Sequence, residues 1–345
     1  MIQRPSVTRF PYLDYLRALA IILVLWDHLF NIWPLQHGVT LPHDKLLQFI
    51  KQPLGIIQDF GWMGVCLFFF ISGFLIAHVA STSSINTFLI KRLFRIYPLY
   101  IFILLLSLLT ENLNPKLFLR YFLESLLFLN YWQTPQHIHI GTAWTLAIEV
   151  LFYLLIIATM RMRKHPVLMV SVQACIVMVI LINARTFGAA FFLFASSVAY
   201  IPYLIVGEYI YLIQSRSILP GMGGYTIPVV LYSILIYSIY TIHTIFLPTS
   251  NSYVINAIYS LVIFLALSYY SDFFRHNKFV FFLSTLSYSL YLAHAYIGDR
   301  LFMIFLPYLG VYASIFSSLI VIFVLSIICN LFIEMPFIKF ARHIC

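Results

Sequence analysis

The sequence predicts an all-α, polytopic membrane protein: a bundle of about ten transmembrane helices that forms one domain over residues 1–345. The first observation is composition, since 62% of the residues are hydrophobic and only 9% are charged, against about 45–50% and about 25% in soluble domains. The second is that apolar runs of about 18 residues, long enough to cross a bilayer, recur from end to end. The third is that only short polar stretches separate these runs, which leaves no room for a soluble domain.

The predicted helices follow one another along the chain with short connections. The first apolar run comes after Arg9 and Arg17 and lacks a small-residue cleavage site, so it is an uncleaved span rather than a signal peptide. By hydropathy and by the polar residues that flank each run, we place the ten spans at 13–33, 61–80, 95–110, 143–160, 167–183, 190–212, 225–245, 253–271, 280–297 and 310–333.

Residues 117–132 are open to two interpretations. Their sequence, LFLRYFLESLLFLNYW, places Arg120 and Glu124 four residues apart, which is one face of a helix. Such a segment either spans the bilayer or lies along its surface. A full span here would move the basic RMRKH segment to the outer side, which favours the surface helix.

The distribution of Lys and Arg predicts that both termini are cytoplasmic. With ten spans and a cytoplasmic N-terminus, fourteen of the twenty Lys and Arg residues fall on the cytoplasmic side and six on the outer side. This bias agrees with the positive-inside rule. The formal charge of +9 therefore reflects membrane topology, and we expect the lipid bilayer, and no nucleic acid, as a partner.

The first span carries ionisable residues at both ends of one stretch, RALAIILVLWDH. Arg17 and His28 are eleven residues apart, which leaves them on the same helix face about 16–17 Å apart along the axis. Intramembrane ionisable groups usually mark function. The alternative is a topological anchor, Arg17, and a helix-packing histidine, His28. Asp27 points about 100° away from His28, so a direct Asp–His dyad is not expected.

The segment KRLFRIYP, at the cytoplasmic start of the third span, adds a second basic feature. Arg92 and Arg95 are three residues apart and share a helix face, and guanidinium groups suit bidentate binding of phosphate. Taken alone, the pair fits a topology signal. Together with Arg17 it predicts a cytoplasmic cation cluster that holds an anionic, phosphate-bearing donor.

Three further segments carry polar residues within apolar surroundings. In TAWTLAIEVLFYL, Trp144 and Glu149 lie near the outer start of the fourth span, and Glu149 is expected to face the bundle interior. In SYSLYLAH, Ser287 and His294 lie seven residues apart on one face. Glu334 ends the last span and is interpreted as structural. No zinc, phosphate-loop or serine-hydrolase motif is found, and we expect no metal.

Together these segments resemble the bacterial membrane-bound acyltransferase-3 family. The matching pieces are LDYLRALAIILVLWDH, GVCLFFFISGFLI, KRLFRIYP, WTLAIE, SYSLYLAH and the terminal EMP, which extend from about residue 12 to residue 336. The family's usual Trp-Ser-Leu-x-x-Glu pattern has Thr145 at the serine position here, which keeps a hydroxyl. Some relatives carry an SGNH hydrolase-like domain after the membrane part, and we expect this chain to be a stand-alone form without one.

The resemblance implies a carbohydrate O-acyltransferase of the bacterial inner membrane. The donor would be cytoplasmic acetyl-CoA or another acyl-CoA, and the acceptor a hydroxyl of a cell-surface or periplasmic carbohydrate, such as a lipopolysaccharide. Arg17, Arg92 and Arg95 would bind the donor. His28 would be the general base, or the nucleophile of an acyl-enzyme, and Glu149 would orient His28 or the acceptor. Trp144, Asp27 and His294 would contact the acceptor.

Two other classes of protein share this composition. A polysaccharide polymerase or a lipid-linked sugar flippase is also a basic, aromatic-rich protein with many spans, but its charges should be spread along an outward-facing cavity. A transporter or sensor without catalysis would tolerate the loss of His28. The concentration of arginine at one inner site beneath a single histidine favours the enzyme.

Overall fold

A computed structural model of the chain describes residues 10–39, 41, 60–111, 113–218, 222–241 and 252–345. Within these ranges the chain is all-α and forms eleven helices. They are α1 Pro11–Gln36, α2 Phe60–Thr82, α3 Ile85–Leu109, α4 Pro115–Leu126, α5 Gly141–Met162, α6 Pro166–Ile182, α7 Ala189–Gln214, α8 Met222–Thr241, α9 Ser252–Tyr269, α10 Lys278–Leu309 and α11 Val311–Ile344.

A helix occupies each of the ten predicted ranges, as far as the described residues extend. Seven of the helices, namely α1, α2, α3, α5, α7, α10 and α11, are long and apolar enough to cross a membrane. The prediction of an all-α, polytopic membrane bundle is therefore confirmed, whereas the number of ten spans stays a prediction. Four residues used to predict the topology, Arg4, Arg9, Lys45 and Lys51, lie outside the described residues, and so does the seventh predicted span after residue 241.

The segment that was open to two interpretations contains a helix that is too short to cross a bilayer. α4 has 12 residues, a length of about 18 Å, which is well short of a bilayer core of about 30 Å. Asn114 caps its start by accepting a hydrogen bond from the backbone N–H of Leu117, at 2.9 Å. Arg120 and Glu124 form an ion pair at 2.7 Å along its face. The helix ends before Phe128, which has a left-handed backbone with φ 58°.

The bundle is organised around α2. This helix packs most extensively against α7, α1 and α9, and most of its side chains are buried. Its crossing with α7 depends on two glycines, because a Cβ atom on Gly73 would lie 1.9 Å from the carbonyl oxygen of Leu204, and one on Gly207 would lie 2.0 Å from that of Phe70. Small residues thus allow the two backbones to touch, as in many membrane helix pairs.

Large apolar side chains remain exposed on the outer surface of the bundle. Leu154, Val179 and Ile320 are 58%, 61% and 64% exposed. In water such a surface would aggregate, whereas lipid tails cover it at no cost. The exposed apolar surface therefore agrees with a membrane location.

Candidate functional site

Three of the long helices contain one π-helical turn each. The turns cover His28–Ile32 in α1, His294–Gly298 in α10 and Asn330–Glu334 in α11. Each begins or ends at an ionisable residue, namely His28, His294 and Glu334. π-turns occur frequently at functional sites, because the extra residue re-aims the side chains on that face.

Two of the cavities in the described part of the bundle lie one after the other along α1. The first, here called the arginine cavity, has an empty volume of about 790 Å³, which includes open space at its mouth. Its polar lining contains all three arginines predicted to bind the donor, together with Glu149, Ser72, Thr145 and Ser287. The arginines come from the predicted cytoplasmic ends of α1 and α3, so the folded chain does bring the predicted cation cluster together.

Arg92 is held against α2 and α5. Its Nη2 atom donates a hydrogen bond to the carbonyl oxygen of Leu75, at 2.9 Å. Its guanidinium also lies 5.7 Å from the ring centres of Phe88 and Tyr153, within the range of a cation–π interaction. One edge of the guanidinium is thus bound by the protein, while the Arg92 side chain lines the arginine cavity.

Arg95 is held by Glu334. The two side chains form an ion pair, and Glu334 also accepts hydrogen bonds from Ser289 Oγ at 2.7 Å and Asn330 Nδ2 at 3.0 Å. The guanidinium of Arg95 lies 5.2 Å from the ring centre of Tyr288. The Glu334 side chain is 1% exposed, against 28% for Arg95, so the carboxylate is buried while the guanidinium reaches the cavity.

Glu149 lies among the arginines. It lines the arginine cavity, accepts a hydrogen bond from the hydroxyl of Tyr153 and interacts electrostatically with Arg17 and Arg95. In the part of the chain that the structure describes, no hydrogen bond or ion pair joins Glu149 to His28. The expectation that Glu149 orients His28 directly therefore has no contact to support it.

The second cavity, here called the histidine cavity, lies at the other end of α1 and has an empty volume of about 1040 Å³, which includes open space at its mouth. Its lining includes Asp27, His28, Trp33, Gln36, Trp62, Thr142, Trp144 and Asp299. Among the described lining residues there are carboxylates but no lysine or arginine. The two cavities therefore have opposite charge character, because the first is rich in cations and the second in acidic and aromatic groups.

His28 lines the histidine cavity, and His294 packs edge to face against His28 from behind, outside the lining of either cavity. Their ring centres are 4.6 Å apart and the ring planes make an angle of 80°. His294 is fully buried, and its Nδ1 atom donates to the carbonyl oxygen of Leu290 at 3.1 Å. That bond leaves Nε2 of His294 as an acceptor, for which the described residues offer no donor. The sequence placed His28 and His294 in separate segments, and the packing of α1 against α10 joins them.

Asp27 and Trp144 lie elsewhere on the wall of the same cavity. Asp27 is 5% exposed and accepts a hydrogen bond from Asn31 Nδ2 at 3.1 Å. It packs so tightly on α2 that a Cβ atom on Gly61 would lie 2.7 Å from Asp27 Oδ2. Trp144 stacks on Trp62, with ring centres 6.0 Å apart and planes 9° from parallel. The lining of the histidine cavity thus contains both an aromatic platform and a carboxylate.

The two cavities share two lining residues, Val65 of α2 and Tyr291 of α10. The ring of Tyr291 lies 5.7 Å from that of His294. Val65 and Tyr291, here called the junction pair, therefore separate the cationic cavity from the cavity that contains His28.

Three residues of the site were missed or undervalued by sequence reasoning. Glu334 was interpreted as structural, although it belongs to the Glu-Met-Pro segment, which is one of the pieces that resemble the family. Asp299 lines the histidine cavity and pairs with His37 at 3.1 Å. Tyr291 lies in the SYSLYLAH segment, but its role at the junction depends on a contact between helices that no spacing within one segment predicts.

Comparison with known proteins gives one match. A family model described as an acyltransferase domain matches residues 10–335, which is nearly the whole chain. No curated protein and no solved structure that was compared matches the chain.

Proposed function

The chain belongs to the acyltransferase-3 family and is a membrane acyltransferase, and from this we propose that it moves an acyl group, acetyl in the first instance, from cytoplasmic acyl-CoA to a carbohydrate hydroxyl. The acceptor would be a cell-surface or periplasmic glycan. The observation that carries this proposal is the pair of cavities, one lined by three arginines and one by His28, which meet at Val65 and Tyr291.

The arginine cavity suits the donor. Acyl-CoA carries several phosphate charges at one end and a thioester at the other. Arg17, Arg92 and Arg95 offer guanidinium groups, which bind phosphate in a bidentate manner, and they lie toward the predicted cytoplasmic side, where acyl-CoA is found. The pantetheine arm would then run along α1 toward His28, about 16–17 Å from Arg17.

His28 is proposed as the general base. It takes the proton of the acceptor hydroxyl while the hydroxyl oxygen attacks the thioester carbonyl carbon. The carbon–sulfur bond breaks, and the CoA thiolate leaves and takes up the proton. Histidine suits this role, since its ordinary pKa lies close to neutral pH. An acyl-histidine intermediate, in which the imidazole itself attacks, is the alternative route.

The histidine cavity suits the acceptor. A sugar ring has apolar C–H faces and polar edges, so it can stack on an aromatic platform such as Trp144 while Asp27 accepts its hydroxyl hydrogens. The contact of His294 with the acceptor stays a prediction, because His294 is fully buried beside His28 and lines neither cavity. Glu149, among the arginines, is proposed to balance their charge close to the reacting thioester.

The proposed topology has ten spans in one domain, with both termini in the cytoplasm of a bacterial cell and the chain in its inner membrane. α4 would then lie along the outer surface of the bilayer. The fourteen-to-six distribution of Lys and Arg supports this arrangement, and the 12-residue length of α4 is consistent with it.

The test is acyl transfer across the membrane of inverted vesicles. Radiolabelled acetyl-CoA is supplied to the exposed cytoplasmic face, and label in the lumenal glycan is measured for the wild type and for His28→Ala and Arg92→Ala. Matched controls are His343→Ala and Arg120→Ala, which remove the same side chains from exposed positions. All variants are compared at equal expression.

We expect label in the lumenal glycan with the wild type and both controls, and its loss with both site variants. If the wild type neither binds nor consumes acetyl-CoA or any other acyl-CoA, the enzyme proposal fails. The polymerase or flippase interpretation would then take its place.

A further inference from the structure

The acyl group of the donor has a defined place if the proposed function is correct. The donor is anchored by its phosphates at the arginines, and the acceptor hydroxyl is activated at His28. The thioester of the donor can therefore reach this hydroxyl only where the two cavities adjoin. That place is the junction pair, Val65 and Tyr291. We propose that Val65 and Tyr291 form the acyl-binding site and restrict the transferred group to a short, uncharged acyl chain.

Tyr291 forms a fixed wall of this site. Its side chain is buried, with 7% exposure, and its hydroxyl donates to the carbonyl oxygen of Thr142 at 3.5 Å. Its ring packs at 5.7 Å from Phe68 on one side and at 5.7 Å from His294 on the other. Contacts with α2, α5 and its own helix thus hold the ring in place.

Val65 is the other residue that lines both cavities. It is 9% exposed and lies on α2, the helix with the most extensive contacts in the bundle. It follows Gly64, where a Cβ atom would lie 2.6 Å from the carbonyl oxygen of Ala20. The backbones of α1 and α2 are therefore in close contact next to Val65.

The size limit follows from close packing. Each methylene group added to the acyl chain must displace the Val65 methyl groups or the Tyr291 ring. A misfit of one methylene in an apolar pocket changes catalytic efficiency by roughly 10–200-fold. We therefore expect kcat/KM to fall in the order acetyl-CoA, propionyl-CoA, butyryl-CoA.

The charge limit follows from the lining of the histidine cavity. A succinyl chain that did pass the junction pair would carry its free carboxylate toward Asp27 and Asp299 in the histidine cavity. The described lining of that cavity contains no lysine or arginine to balance it. Like charges at short range in a medium of low dielectric constant repel strongly, so succinyl-CoA is expected to be a poor donor.

The test measures transfer from each of four donors, namely acetyl-, propionyl-, butyryl- and succinyl-CoA, into lumenal glycan of the same inverted vesicles. Val65→Ala removes two methyl groups at the junction pair, and Tyr291→Leu replaces its ring by a smaller side chain. Val177→Ala is the matched control, since Val177 is buried on α6 at 1% exposure and lines neither cavity.

We expect the ratio of butyryl to acetyl transfer to rise about tenfold in Val65→Ala and in Tyr291→Leu, and to keep its wild-type value in Val177→Ala. If one of the two junction variants fails to fold, the other still decides the size limit. The wild type alone decides the charge limit, through its ratio of succinyl to acetyl transfer.

Two results would overturn the inference while leaving the proposed function intact. One is a wild type that transfers succinyl or butyryl groups as efficiently as acetyl. The other is a ratio of butyryl to acetyl transfer that equals the wild-type ratio in both Val65→Ala and Tyr291→Leu, provided that both variants fold. A wild type that transfers none of the four acyl groups would instead contradict the proposed function itself.

Discussion

Glu334 is ion-paired with Arg95 across the interface between α11 and α3. Arg95 lines the arginine cavity, whereas Glu334 does not, so the carboxylate holds the guanidinium from outside the cavity lining. Arg95 also interacts electrostatically with Arg17, and two guanidinium groups repel each other. Glu334 therefore compensates the charge of Arg95 and keeps the Arg95 side chain close to the other arginines of the cavity.

We predict that Glu334→Gln weakens binding of the acyl donor. The substitution keeps the shape of the side chain but removes its charge, so Arg95 is no longer held against the repulsion from Arg17. The KM for acyl-CoA should rise on the order of tenfold, equivalent to about 1.4 kcal/mol, with kcat little changed, as for a loss of uniform binding. Initial rates over a range of donor concentrations give both constants.

The matched control is Glu124→Gln, which removes the carboxylate of another Arg–Glu pair, on the surface of α4. It should leave the KM for the donor unchanged. A Glu334→Gln enzyme with the wild-type KM, or with a lowered kcat at constant KM, would contradict the positioning role of Glu334.

We predict that His28→Gln slows acyl transfer without weakening the binding of the acyl donor. Glutamine retains a polar side chain of similar reach but cannot act as a base, so the transfer rate should fall by about 10²–10⁴-fold. The affinity for a non-reactive thioether analogue of acetyl-CoA should stay close to the wild-type value, because the arginines lie in the other cavity. A parallel loss of affinity would show that His28 supports the fold or the donor site instead.

We predict that Gly73→Ala destabilises the whole bundle. The new Cβ atom would lie 1.9 Å from the carbonyl oxygen of Leu204, so α2 and α7 would have to separate. Overpacking of this kind costs about 1–3 kcal/mol or more, and a thermal unfolding scan in detergent should show a clear fall in the midpoint. Gly141→Ala is the control, since no atom lies within 4 Å of its added Cβ; equal midpoints for the two variants would refute the close crossing.

We predict that the stability of α4 falls at acidic pH. Partial burial raises the pKa of Glu124, but hydrogen bonds from Arg120 and Gln133 outweigh burial, so the pKa lies below its ordinary value of 4.5. A carboxylate with a lowered pKa stabilises the fold above its ordinary pKa and loses that contribution as the pH falls through the lowered value.

Amide hydrogen exchange along residues 115–126, corrected for its intrinsic pH dependence, should therefore speed up as the medium is acidified through the carboxyl range. In Glu124→Gln this additional pH dependence should be absent. If exchange in Glu124→Gln keeps the pH dependence of the wild type, a group other than Glu124 causes that dependence.

The elements that local sequence determines were predicted well. A helix lies at each predicted span because hydropathy and length are properties of consecutive residues. The surface helix α4 was left open between two interpretations, since its composition fits both; its end at Leu126 depends on the left-handed turn at Phe128, which no pattern in the segment indicates. Arg17, Arg92 and Arg95 were predicted to cluster from topology alone, because the cytoplasmic ends of neighbouring spans must lie at the same membrane surface.

The sequence by itself thus determined the fold class and the positions of the helices in the described part of the chain. Only the tertiary structure decided that Arg95 pairs with Glu334, 239 residues away, that His28 lies against His294, and that Val65 and Tyr291 line the same two cavities. It also placed Glu149 with the arginines instead of with His28. The physical reason is that hydropathy acts residue by residue along the chain, whereas these contacts depend on how α1, α2, α3, α10 and α11 pack against one another and where their π-turns rotate a side chain.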